Sequence, residues 1–135
     1  MTITQDQADA VLAAGRRAAE TIGIPMNIAV LDAGVHLKAF ARMDGALLGS
    51  IDIALGKART AALFGLNTEV VGQFSAPGGT SPGLENSNGG LVVFAGGIPL
   101  HDASGHVIGA VGVSGGVVDQ DFQVALAAAK AVEGQ

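Results

Sequence analysis

The run Val107-Ile108-Gly109-Ala110-Val111-Gly112-Val113-Ser114 constrains this chain more than any other stretch. Its apolar character predicts a buried strand, and the glycines at 109 and 112 leave that strand partly bare. A bare strand surface allows a helix or a flat ligand to approach the backbone closely. Ser114-Gly115-Gly116, which follows, reads either as a tight strand-to-helix turn or as backbone N–H groups presented to an anion. The spacing is not a dinucleotide fingerprint, because no G-x-G-x-x-G leads directly into a helix within a βαβ unit.

Composition shows what such a strand can pack against. Hydrophobic residues make up 49% of the 135 positions and charged residues 14%, with five Phe and no Trp or Tyr. The core must therefore be built from Ala, Val, Leu and Ile, with the 21 Gly allowing backbones to come together. So little charge predicts apolar surface hidden between subunits, hence a homo-oligomer, tetramer or octamer. The net charge of −5 is spread along the chain and the seven Lys and Arg form no stripe, which argues against nucleic acid as a partner. The absence of cysteine excludes disulfides, thiolate metal sites and a thiol nucleophile. No apolar run approaches the ~20 residues of a membrane span. The first residues lack the basic start and apolar core of a signal peptide, so a cytoplasmic location is expected.

The order of elements predicts one α+β domain over 1–135. Thr4 and Gln7 form a capping box for a first helix, stopped by Gly23 and Pro25. Residues 26–31 and 36–42 read as an antiparallel hairpin through the Asp32-Ala33-Gly34 turn. Ser50 is placed to cap a second helix reaching about Leu66, with Ile51, Leu55, Ala58 and Ala62 expected on the sheet. Ser50, Ile53, Lys57, Thr60 and Phe64 share its other face, which is expected to meet a subunit or a ligand. Thr68 opens a short helix. Residues 75–90 are a long polar loop, and such loops are more often functional than idle. Strands are expected over 91–94, from 96, and over the glycine-punctuated run. Asp119 then caps a last helix with Val118, Phe122, Ala125, Ala129 and Val132 as its stripe. The expected architecture is an antiparallel profilin-like or PAS-like sheet of about five strands flanked by helices.

Several residues carry candidate chemistry. Arg42-Met43-Asp44-Gly45 ends the second strand. Arg42 can clamp a carboxylate or make a subunit contact, and Asp44 reads as turn chemistry or as a proton carrier. Lys57 and Thr60 can hold an anion, or Lys57 can pair with Asp44 or Asp32. Glu85, in the long loop, is a solvated carboxylate or a general base on a lid. His36, His101 and His106 have no metal-ligand spacing, so no metal site is expected.

Together these segments resemble the GlcG/HbpS family, also called DUF336 or haem-degrading-domain-like, related to the PduO C-terminal domain. The resemblance rests on five segments in order. The first are Ala29–Gly34, Arg42–Ala46 and Ile53–Ala61, followed by Gly96–Leu100 and then Gly109–Gly116 with Asp119-Gln120-Asp121. It implies an oligomeric domain, some members of which bind haem or a corrinoid. PduO-type members use an early histidine as iron ligand, and this chain has none before His36. The expected function is binding of a small organic acid or tetrapyrrole between sheet, second helix and the 75–90 loop. Arg42, Met43, Lys57, Thr60, Phe64, Ser114 and Gly115 would contact it. The alternative is a cofactor-independent enzyme moving a proton on a small carboxylic or hydroxy acid, with Glu85 or Asp44 as the catalytic group.

Overall fold

A computed structural model describes residues 1–133. Helix α1 spans Gln5–Ile22, with the Thr4–Gln7 capping box formed and Gly23 closing it at φ 85°. The hairpin β1 (Asn27–Asp32) and β2 (Leu37–Arg42) follows, then α2 (Ser50–Phe64) and α3 (Thr68–Ser75). Strands β3 (Gly97–His101) and β4 (Val107–Ser114) and helix α4 (Val118–Ala129) complete the fold. The sheet runs β2-β1-β4-β3 with every neighbour antiparallel.

Strand alternation divides the sheet into two buried faces. Ile28, Val30, Val111 and Val113 meet α1 and α4 in the larger core. Ala29 and Leu31 meet Ala54 and Ala58 of α2 in a smaller one. Gly112 explains why that second layer is so thin: a Cβ there would fall on the Ala54 carbonyl and the Ala58 backbone. The helix lies directly on the strand's backbone, and only alanine fits between them.

This contact corrects the expected phase of α2. Its buried positions are Ser50, Ala54, Lys57, Ala58, Thr60 and Ala61, while Ile51, Leu55 and Ala62 are only partly buried. Larger side chains cannot enter a gap closed by Gly112, so the helix turns its small residues inward. A similar shift affects α4, where Asp121, Val124, Ala125 and Ala128 are buried and Val118 is exposed. Its N-cap is Val117 rather than Asp119, and Gln120 Oε1 accepts the Val117 N–H at 3.0 Å. Gly49 and Asn67, not Ser50 and Thr68, stand at the N-caps of α2 and α3.

The sheet has four strands, not about five. Residues 91–94 form no ladder; Val93 instead lies against α3, its carbonyl where a Gly72 side chain would stand. The long loop is also no free lid. Ser81 N–H donates to Phe74 O at 2.8 Å and Gly83 N–H to Ser75 O at 3.3 Å, which ties the loop to the end of α3. A short 3₁₀ turn, Leu84–Asn86, is folded into it.

Candidate functional site

Lys57 projects from the inward face of α2 and is 0% exposed. Its ammonium donates to Val113 O at 2.8 Å and to Asp121 Oδ2 at 2.9 Å. The Phe94 ring centroid lies 5.1 Å away, within cation–π range. Asp121 Oδ1 accepts the Gly116 N–H at 2.9 Å, so one carboxylate ties α2, the end of β4 and the start of α4 together. Burial pushes the Lys57 amine below its ordinary 10.5, opposed by the hydrogen bond and charge of Asp121. Burial likewise pushes the Asp121 carboxyl above its ordinary 3.8, opposed by Lys57 and Gly116.

In this arrangement the polar groups expected to meet a ligand find partners within the protein. Lys57 pairs with Asp121, not with Asp44 or Asp32 and not with a guest. The buried Thr60 hydroxyl donates to Gly56 O at 3.0 Å within its own helix. Ser114 is buried, and Gly115 (φ 141°) is packed so closely that a Cβ would lie 2.9 Å from Pro25 O. The Gly116 N–H, a candidate donor to an anion, is taken by Asp121. Around Lys57 the space expected between glycine-lined strand, α2 and loop is thus filled by the protein itself. Phe64 lies half exposed at the end of α2, and Glu85 in its 3₁₀ turn; neither lines either cavity described below.

One open space lies elsewhere. A groove of about 400 Å³ separates α1 from the end of β2, lined by Arg16, Glu20, Ala41, Arg42, Met43 and Asp44. Arg42 sits opposite Asn27 in the β1–β2 register, and Gly45 turns the chain just beyond it at φ 83°. Arg16 Nε donates to Glu20 Oε1 at 2.9 Å. Arg42 has no such partner among the described residues, which leaves its guanidinium available to a carboxylate. Met43 is held in place by its sulfur, which accepts the Met26 N–H at 3.4 Å. Three expected site residues, Arg42, Met43 and Asp44, therefore meet in one place. Arg16 and Glu20 join them from α1, and sequence reading missed both because they look like the wet face of a helix. A second cleft of about 330 Å³ is apolar, formed by Leu31, Val35, Leu37, Leu55 and Gly56 with Arg59 at its side.

The histidines lie at the far end of the sheet. Asp32 pairs with Gly109, so the β1–β2 and β3–β4 turns project from the same end. Both turns are built alike. Asp32 Oδ1 accepts the Gly34 and His36 N–H groups at 2.9 Å. Asp102 Oδ1 accepts those of Ser104 at 2.9 Å and His106 at 3.0 Å. Among the described residues no group of three His, Cys, Asp or Glu could hold a metal ion, and no helix is long and apolar enough to cross a membrane.

The family described as "Haem degrading protein HbpS-like" matches residues 3–130. The chain belongs to it. Protein GlcG of Escherichia coli (strain K12) is 40% identical over 116 residues, 83% of this chain and 81% of GlcG. Among solved structures, the DUF336 protein ORFY of Klebsiella pneumoniae has a TM-score of 0.94 at 34% identity, covering 100% of this HbpS-like chain and 93% of that one. A PduOC:heme complex has a TM-score of 0.92 at 30% identity, covering 98% and 96% respectively.

Proposed function

We propose that this HbpS-like chain is a homo-oligomeric small-molecule-binding domain whose guest carries a carboxylate and sits in the α1–β2 groove. The guest is a haem-type tetrapyrrole or a small organic acid. The observation that carries the reading is Arg42, a guanidinium with no side-chain partner among the described residues, in a groove it shares with Ala41 and Met43. A propionate or a free organic acid offers what that guanidinium needs. The haem complex of a relative 30% identical supports the tetrapyrrole form.

Absorbance titration with haemin and calorimetric titration with glycolate-like acids test the reading. Saturable binding of either, weakened about tenfold in Arg42→Ala, is the expected result. Unchanged binding in that variant would contradict it. Asp44 beside Arg42 favours a second reading, proton transfer on a small hydroxy acid. Glu85 takes no part in it, because it does not reach the groove. Exchange of the α-hydrogen of such an acid in heavy water, lost in Asp44→Asn, is its test.

A further inference from the structure

The two hairpins of the sheet follow one plan. Leu31 faces Leu37 and Val30 faces Ala39 in the first, as His101 faces Val107 and Leu100 faces Gly109 in the second. Val35 N–H donates to Asp32 O at 3.0 Å, and Gly105 N–H to Asp102 O at 3.0 Å. The last of these turn residues is left-handed in both, at φ 69° for Val35 and 84° for Gly105. Glycine adopts that conformation without steric cost. For a β-branched residue such as valine it is a genuine outlier. Backbone strain of this kind persists only where the surrounding structure imposes it, and it gathers at ligand sites.

What Val35 gains over a glycine is a side chain, and that side chain walls the apolar cleft of about 330 Å³. Leu31, Leu37 and Leu55 line it too, and Leu37 stays 58% exposed, so the cleft is open to solvent. Among the described residues Arg59 is the one charged group in the lining, and no carboxylate shares it. Its guanidinium stands 3.5 Å from the Gly90 carbonyl, beyond the usual hydrogen-bond range, and makes no ion pair among the described residues. Asp52, the one acid of α2, stands two turns before Arg59, about 10 Å along the helix axis. Asp32 Oδ1 is taken by the Gly34 and His36 N–H groups. The cleft lies on the α2 face of the sheet, whereas the Arg42 groove opens beside α1.

We propose that this cleft is a second binding site, for an aliphatic monocarboxylate of a few carbons. The acyl chain lies against Val35, Leu37 and Leu55, and Arg59 takes the carboxylate through its forked donors. The volume is at the small end of ligand sites, roughly 300–1,000 Å³, which selects a short chain. One cation matches one carboxylate, and the lining offers no second cation to a dianion. This site stands whatever the α1–β2 groove holds.

Titration of the full chain, ¹³C-labelled at Leu, Val and Met methyls, with butanoate, hexanoate and hexanamide tests it. The Val35, Leu37 and Leu55 methyls report the cleft and Met43 reports the groove, so entry of the acid into the groove is read separately. Hexanoate is expected to shift the cleft methyls saturably and independently of protein concentration. Each added methylene should tighten binding there about fourfold. Hexanamide, a chain of the same length without the charge, should bind at least tenfold more weakly. Arg59→Gln should bring acid and amide within about twofold of each other. Val35→Gly should stay folded, because Gly105 supports the twin turn, and should lose at least threefold in hexanoate affinity at Leu37 and Leu55. Equal binding of acid and amide by the unmodified cleft would overturn the proposal, as would undiminished affinity in Val35→Gly. Cleft methyls that stay in place would do the same. So would methyls that move with protein concentration instead of with acid, which would give this face to a second copy. A Met43 response that survives any of these failures leaves the groove reading intact.

Discussion

Lys57 is held by three neighbours and reached by no solvent, so its removal tests how much a buried ion pair contributes to this fold. Lys57→Met leaves Asp121 buried without a counter-charge, and breaking a buried pair in this way costs about 3–5 kcal/mol. Thermal or urea unfolding should show that loss at neutral pH, with much of it recovered in the Lys57→Met/Asp121→Asn double variant. The sign of its pH dependence is fixed by Asp121. Its folded pKa lies above its ordinary 3.8, so the folded state binds the proton more readily. The single variant should therefore gain stability as pH falls from neutrality toward 3.8; a loss over that range would contradict the burial argument. Sequence alone places Lys57 on a helix face but not its partner. Asp121 belongs to the last helix, and a separation of 64 positions hides the pairing.

At the scale of elements, Gly112 sets the distance between β4 and α2. Gly112→Val would need α2 to move off the strand, and overpacking of this severity costs about 3 kcal/mol. A folded variant with unchanged melting temperature would show that the layer is looser than the contact at Ala54 and Ala58 implies. The twin Asp-x-x-x-His turns make a second prediction. Backbone hydrogen bonding from His106, and from Ser104, holds the Asp102 carboxyl below its ordinary 3.8. The turn's contribution is thus complete above pH 3.8 and lost as pH falls through the depressed folded value. The amide resonances of Ser104 and His106 should titrate together below 3.8, and in Asp102→Ala the inflection should vanish. The first turn is legible in Asp32-Ala33-Gly34, and Asp102-Ala103-Ser104-Gly105 carries the same kind of signal. The phase of α2 was not, because it depends on a glycine some fifty residues away rather than on the helix's own periodicity (roughly its whole apolar circumference can pack). Residues 91–94 mimic a strand for the same reason: a short apolar run reads alike whether it joins a ladder or lies on a helix.

For the whole molecule, part of the apolar surface that composition anticipates lies at one end of the sheet. Leu48 is 72% exposed and Val117 65%, and Leu47 and Val118 are exposed beside them. These lie on the connections that leave the Arg42 and Ser114 end of the sheet, the end that carries the groove. Native mass spectrometry should give a multiple of the 13.3 kDa chain, with Leu48→Ser/Val117→Ser shifting it toward the monomer. A single-chain mass for the unmodified protein would remove the assembly from the proposal. The candidate site was legible in part. Arg42, Met43 and Asp44 are contiguous, so a motif carries them together. Beside Gly112 the protein's own helix takes the place expected for a guest, because a bare glycine surface predicts close approach equally for a ligand and for a helix.

Where the guest sits is best measured through methionine methyl groups. The chain has three Met, and one of them, Met43, lines the groove while Met26 is buried in the core. With ¹³C-methyl methionine, saturation with protoporphyrin IX should shift the Met43 resonance most, by the ring current of the macrocycle, and move Met26 and Met1 far less. Saturable binding that leaves Met43 in place would contradict the α1–β2 groove as the binding site.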